Sequence, residues 1–383
     1  MRSGLAVLVC VAAISGEELP LGRVLDRVVA LGDAGQSYAL YLPSHYTPNH
    51  TWPVLYCLDP GAHGRAPVER FSQAAEKAGI IVVGSNNSQN GPIGPVKEAL
   101  KWMLADTHER LAIDDSRTYA AGFSGGARLA LAWASNGAIA GVIACSAGFG
   151  GHVPKDIPFR LYASTGFDDF NYDEIYKTSL ELAQRGVAHR FVEFNGTHQW
   201  LPENLTSEAL EFIQGRGEPR AAQRSKEQER LAARYDTLAA IARSADGRST
   251  IEKLRKEAVM ASDSPERRIA RRVIAVTYVT QVETSRELMR DHQYKEAAEL
   301  YENAVVVEPD NGGAWFALAL AQAGTGNTRR ALEALESAAA HGYRNVDRME
   351  TEPLLNAVRG DARYKAALLK MKEAPLPGVL EHK

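Results

Sequence analysis

Gly122-Phe123-Ser124-Gly125-Gly126 sets a serine between a predicted strand and a predicted helix, and no other stretch constrains this 383-residue chain as much. Arg117 to Ala121 before it reads as a short buried strand, and Ala127 to Trp133 after it as a helix of strong formers. A serine in so tight a strand-to-helix turn is forced into a strained backbone conformation. Small residues two before and two after it let the chain fold back without a Cβ clash. The hydroxyl is then held clear of the sheet, and the amide of Gly125 points at whatever the serine attacks. Glycine is abundant in the chain, so the pentapeptide means little by itself. The strand before and the helix after give it weight.

Two further pieces follow in a fixed order. Phe159 to Ser164 reads as a strand closed by Thr165-Gly166-Phe167-Asp168-Asp169, a turn carrying acids. His189 to Phe194 alternates as a last strand and ends in Asn195-Gly196-Thr197-His198-Gln199-Trp200. Serine, acid and histidine in that order, each in a loop just after a strand, is the arrangement of the α/β-hydrolase fold. The chemistry needs each type. Serine alone is a poor nucleophile at neutral pH, imidazole can take its proton, and a carboxylate fixes the imidazole tautomer. Of the ten histidines, those before Ser124 break the order, His292, His341 and His382 lie in another region, His152 precedes the acid, and His189 begins a strand. His198 is the one that fits. Asp169 ends the Gly-x-x-Asp turn and is the favoured acid, with Asp168 and Asp173 as alternatives.

An oxyanion hole needs a second backbone donor beside Gly125, usually from the loop after the third strand. Trp52 to Leu58 is that strand and Asp59-Pro60-Gly61-Ala62-His63-Gly64 the loop. Proline has no amide hydrogen, so Gly61 is the first candidate and Ala62 the next. Asp59 stands where many lipases carry histidine, and His63 reads as a loop residue.

On Leu58-Asp59-Pro60-Gly61, Gly122 to Arg128, Gly166 to Tyr172 and Gly196 to Trp200, the chain resembles the α/β-hydrolase esterases related to polyhydroxybutyrate depolymerases, feruloyl esterases and dienelactone hydrolases. The resemblance runs over residues 23 to 214. It implies hydrolysis of a carboxylic ester, or in second place a peptide, through an acyl-enzyme. The alternative from another class is a catalytically silent hydrolase fold that serves as a partner-binding scaffold.

The 44 basic and 47 acidic side chains give a net charge of −3 and no electrostatic case for nucleic acid. No phosphate loop, HExxH run or paired CxxC is present, so neither a metal nor a cofactor is expected. Cys57 and Cys145 fall in predicted core strands and read as buried free thiols. Met1-Arg2-Ser3 followed by the apolar run Gly4 to Ile14, which includes Cys10, reads as a signal peptide over residues 1–16, with Ala13 and Ser15 near the cleavage site. The run is too short to span a bilayer. The protein is therefore expected to be periplasmic or secreted, with no membrane span.

Between leader and elbow, Arg23 to Leu31 and Ser37 to Leu42 read as a hairpin, Ile80 to Gly84 as a buried strand, and Pro95 to Arg110 as a helix burying Val96, Leu100, Met103 and Leu104. The polar loop Ser85 to Asn90 leaves a strand at the edge where the catalytic candidates lie, and reads either as a pocket wall or as a solvated loop. After the strand Gly141 to Cys145, Gly148 to Pro158 leaves no room for a large helical cap, so an open site for bulky or polymer-attached esters is expected. Residues 17–215 make up the catalytic domain in this reading, and 216–383 a helical linker and repeat domain. Ala297, Tyr301 and Ala304 recur as Ala331, Leu335 and Ala338, at the spacing of about 34 residues of tetratricopeptide repeats. Such repeats hold a protein partner in a groove, pack against the hydrolase, or shield its open site.

Overall fold

The computed structural model describes residues 19–137, 139–223, 225–242, 247–260 and 263–373. The expected leader over residues 1–16, with Cys10, lies outside them. The chain forms two compact units. One comprises Met1–Cys145, His152–Tyr162 and Trp200–Pro219, and the other Ser146–Gly151, Ala163–Gln199 and Arg220–Lys383.

In chain order the elements are β1 (Val24–Ala30), β2 (Asp33–Tyr41), β3 (Trp52–Leu58), α1 (Arg65–Ala78), β4 (Ile81–Ser85), α2 (Ile93–Arg110), β5 (Ile113–Phe123), α3 (Gly125–Asn136) and β6 (Gly141–Cys145). They continue as β7 (Arg160–Gly166), α4 (Tyr172–Gln184), β8 (His189–Phe194) and α5 (Thr206–Ile213). In the first unit the strands run in the order β1-β2-β4-β3-β5-β6-β7, β7 entering with its first residues through the bond from the Arg160 amide to the Ala140 carbonyl, 3.1 Å. β1, β2 and β4 pair antiparallel, and β4-β3-β5-β6 pair parallel, with Leu55 opposite Val82, Tyr56 opposite Ala120 and Ala121 opposite Ile143. β3, β4 and β6 are buried from end to end, which is why they read as unbroken apolar runs. Cys57 and Cys145 are buried and joined in no disulfide, and burial pushes the Cys57 thiol well above its ordinary pKa.

Helix α2 buries Val96 and Met103 as its periodicity predicts, whereas Leu100 and Leu104 are half-exposed and Asp106 and Thr107 are buried instead. Asp106 accepts from the Tyr38 hydroxyl and the Leu31 amide, both at 2.8 Å, and from Arg110 Nε at 2.9 Å. The Tyr56 hydroxyl meets Thr107 Oγ1 at 2.8 Å. Polar anchors took part of the face that hydrophobic spacing assigned to leucine.

In the second unit the rest of β7 lies beside β8, and the turn after β7 is tied to it by the bond from the Phe167 amide to the Phe194 carbonyl, 2.9 Å. The chain then runs through α6 (Lys226–Ala242), α7 (Arg248–Ala258), α8 (Pro265–Arg290), α9 (Tyr294–Val307), α10 (Gly312–Gly324), α11 (Thr328–Ala340), α12 (Val346–Thr351) and α13 (Ala362–Glu373). α8 starts where Ser264 Oγ accepts from the Arg267 amide and Pro265 takes the first helical position. α6 to α9 share a core of Tyr235, Leu254, Ile269, Val273 and Val307. α9 to α13 build a second one that includes the repeat alanines Ala297, Ala304 and Ala338, and with Ala331 these are fully buried, so paired helices approach closely. Residues 146–159 contain neither helix nor strand. This is an α/β-hydrolase fold, a mostly parallel sheet flanked by helices with no large cap insertion, followed by an all-α tetratricopeptide-like region.

Replacing Asp106 with Ala strands three donors, of which the Tyr38 hydroxyl is buried. The fold is expected to lose about 3 kcal/mol, against about 1 for Tyr38→Phe, with the double variant falling short of the sum. Urea midpoints at unchanged m-value measure all three.

Candidate active site

Ser124 sits at the cap of α3 with φ 52° and ψ −121°, a conformation that non-glycine residues rarely adopt. Its amide donates to the Cys145 carbonyl at 2.9 Å, and its carbonyl accepts from Ala127 and Arg128 at 3.0 and 3.2 Å, so the turn is pinned on both sides. A β-carbon on Gly122 would run into the Gly126 carbonyl, and one on Gly126 into the Leu58 carbonyl. Backbone, not a movable side chain, fills both spaces. The amide of Gly61 donates to Asp59 Oδ1 at 2.9 Å, the Ala62 amide faces the Asp59 carbonyl at 3.2 Å, and the buried Asp59 also accepts from Trp200 Nε1 at 2.9 Å. His63 Nδ1 lies 3.1 Å from the same carboxylate, an ordinary loop contact.

Ser124, Gly125 and Gly61 lie in the first unit, and Asp169 and His198 in the second. Asp169 is fully buried, and its Oδ1 accepts from His198 Nδ1 at 2.9 Å and from the Asn171 amide at 2.9 Å. A carboxylate at Nδ1 makes that nitrogen the protonated one and leaves Nε2 as the base, the tautomer a proton acceptor needs. Phe170 stacks on the His198 ring at 4.0 Å between centroids. The other two acids are engaged elsewhere. Asp168 pairs with Arg271 of α8 at 2.7 Å, and Asp173 lies 3.4 Å from Arg272, burial raising its pKa against the arginine's pull. His189, the first residue of β8, is buried with Nε2 2.6 Å from Ser179 Oγ, and burial lowers its pKa.

Several supports escaped sequence reading. Ser146, with φ 58°, donates to the Gln199 carbonyl at 2.8 Å and accepts Asn171 Nδ2 on its own carbonyl at 2.9 Å, joining the histidine loop to the acid turn. Gly166 lets the two loops touch, since a β-carbon there would meet the carbonyls of Gly196 and Thr197. From α8, Arg272 donates to the Phe167 carbonyl at 2.7 Å and lies 3.5 Å over the Tyr172 ring, while Arg268 lies 4.2 Å over Phe167. A desolvated cation over an aromatic face contributes about 2 kcal/mol, so the tail helix holds the acid turn firmly. A cavity of about 780 Å³ opens beside His198 and Phe170, walled by Arg255 of α7, Arg271 and Ile274 of α8, and Val307 of α9. Only the arginine spacing of α8, three on one face, offered a sequence signal for any of this. Among the described residues no group of side chains is arranged to hold a metal, and no helix is long and apolar enough to cross a membrane.

A tetratricopeptide repeat family model matches residues 288–349. No curated protein matches the chain by sequence. Similar solved structures include the substrate-bound fluorophosphonate-binding serine hydrolase F of Staphylococcus aureus, 13% identical, covering 46% of this chain and 92% of its own, with a TM-score of 0.38. The feruloyl esterase module from Clostridium thermocellum, complexed with sinapinate, is 14% identical over 53% of this chain and 91% of its own, with a TM-score of 0.42. A hyperthermophilic esterase from the archaeon Pyrobaculum calidifontis is 17% identical over 51% and 86%, with a TM-score of 0.39.

Gly126→Ala is expected to destabilise the protein by about 1–3 kcal/mol, because the Leu58 carbonyl cannot step aside. Gly94→Ala, in α2 with open space around it, serves as the control and should be neutral or stabilising by about 0.5 kcal/mol. Chemical denaturation of both variants beside wild type measures the contrast.

Proposed function

We propose that the protein is a serine carboxylic-ester hydrolase in which Ser124 is the nucleophile, His198 the base and Asp169 the acid that orients it. The observation that carries this reading is the Ser124 backbone, φ 52° and ψ −121° at a strand-to-helix junction. Strain of this kind costs roughly 1–3 kcal/mol and persists where a side chain has to be presented. The bond from His198 Nδ1 to the buried Asp169 supports it independently.

In the proposed reaction His198 Nε2 takes the Ser124 proton as Oγ attacks the ester carbonyl carbon. The oxyanion is met by the Gly125 amide, with Gly61, now given to Asp59, as the second backbone candidate. Collapse expels the alcohol, which leaves with the proton from His198. Water, activated by the same imidazole, then releases the acid and restores Ser124. Peptide cleavage would follow the same steps with an amine leaving. The cavity beside His198, with Ile274 and Val307 among its apolar walls and Arg255 and Arg271 among its polar ones, supports a bulky ester that is partly apolar. Residues 17–215 would then carry the chemistry, and 216–383 would wall the cavity beside His198 as well as offer the repeat helices to a protein partner. The apolar leader over residues 1–16 supports export to the periplasm or beyond.

Ser124→Ala should abolish ester hydrolysis and covalent labelling by a fluorophosphonate with the fold unchanged, and His198→Ala should cost nearly as much, the losses not adding. Asp169→Asn is expected to lower kcat about 10⁴-fold through the wrong tautomer, and Asp168→Asn far less. Labelling that survives Ser124→Ala, or the reverse ranking of the two aspartates, would contradict the assignment. A panel of esters and peptides identifies the leaving group.

Removing residues 216–383 takes away Arg268, Arg271 and Arg272 from the acid turn and most of the wall beside His198. The truncated chain should lose solubility or lose at least 10² of kcat/KM on bulky esters. A soluble fragment with wild-type rates and preferences would show the tail to be a separate module.

A further inference from the structure

The loop that joins β4 to α2 is stitched to the loop after β3. The Asn90 amide donates to the Pro60 carbonyl at 2.9 Å, and Gln89 pairs with Gly61 as an isolated antiparallel bridge. This carries the Asn90 side chain to the elbow. A β-carbon on Gly125 would collide with Asn90 Oδ1 and lie 3.1 Å from Nδ2, so the carboxamide occupies the room that a side chain following the nucleophile would fill. Asn90 is exposed, and among the described residues its carboxamide makes no hydrogen bond. Meanwhile the loop after β3 is folded onto Asp59, whose Oδ1 receives the Gly61 amide at 2.9 Å and the His63 amide at 3.4 Å.

The amides of Gly61, Ala62 and His63 are thus engaged within that loop, while the neutral carboxamide of Asn90 stands over Gly125 with Oδ1 nearer than Nδ2. Oxygen and nitrogen of a carboxamide exchange places by a rotation about its last torsion, so Nδ2 can face an oxyanion forming there. We propose that Asn90 is the second oxyanion donor, acting through Nδ2–H beside the Gly125 amide. It donates a hydrogen bond and transfers no proton. The inference rests on Ser124 being the nucleophile. It also accounts for glycine at position 125, since any larger residue would displace the carboxamide.

The test reads fluorophosphonate inactivation rates, which do not depend on the natural acyl group, and p-nitrophenyl acetate kinetics. Asn90→Ala should slow inactivation and lower kcat about 10²-fold with KM within about threefold, the signature of a donor that acts on the transition state. Asn90→Asp, equal in size but carrying only acceptors at neutral pH, should fall at least as far. Gly125→Ala should match Asn90→Ala, and the double variant should be no worse than either. If Ser124 is labelled in wild type while Asn90→Ala and Asn90→Asp both stay within threefold of it, the Asn90 assignment is overturned and the catalytic one stands. If wild-type Ser124 takes no label, both fall.

Discussion

Gly126 at the start of α3 lies against the Leu58 carbonyl of β3, and Gly122 at the end of β5 lies against the Gly126 carbonyl. These contacts between backbones set the distance from strand to helix, and neither leaves room for a β-carbon. With the spacing set, Ser124 is the residue that must bend. It takes φ 52°, its amide reaches back to Cys145, and its carbonyl starts the helix. A penalty of roughly 1–3 kcal/mol for such a backbone is small beside the burial of β3, β4 and β6, so the turn holds. Relaxing the approach at Gly122 or Gly126 would let the serine return to an ordinary conformation and withdraw its hydroxyl.

The second unit solves a different problem, that of keeping an acid turn in place. Short bonds within it do part of the work, from the Asn171 amide to Asp169 and from the Ser146 hydroxyl to the Gln199 carbonyl. The rest comes from α8, whose Arg268, Arg271 and Arg272 repeat at helical spacing and face one turn from one side. The buried Arg272–Asp173 pair is weak evidence for stability. Desolvation raises the Asp173 pKa even beside the Arg272 guanidinium. Arg271 meanwhile takes Asp168 out of competition for His198, which leaves the imidazole to Asp169.

Much of this was legible in the chain because it is local. β3 and β8 occupy the residues that their apolar patterns mark, Trp52–Leu58 and His189–Phe194. The repeat alanines read at a fixed period are the ones buried between helices. Leu100 and Leu104 misled because helical spacing cannot distinguish a leucine at the rim from an aspartate that three donors draw inward. Ser146 and Asn90 carry no motif, and the spacing of Arg268, Arg271 and Arg272 does not say which turn they face. What each does depends on a neighbour distant in sequence, and spacing along one chain holds no record of that.

By itself the sequence determined the order of strands and helices, the elbow around Ser124, the succession of serine, acid and histidine candidates, and the helical repeats, since each follows from sterics and periodicity within a few residues. The tertiary structure decided which aspartate meets His198, which amides Asp59 takes up, what stands over Gly125, and which tail side chains wall the cavity. Those outcomes turn on hydrogen-bond donors competing for acceptors in three dimensions, and only the packed chain brings the competitors within reach.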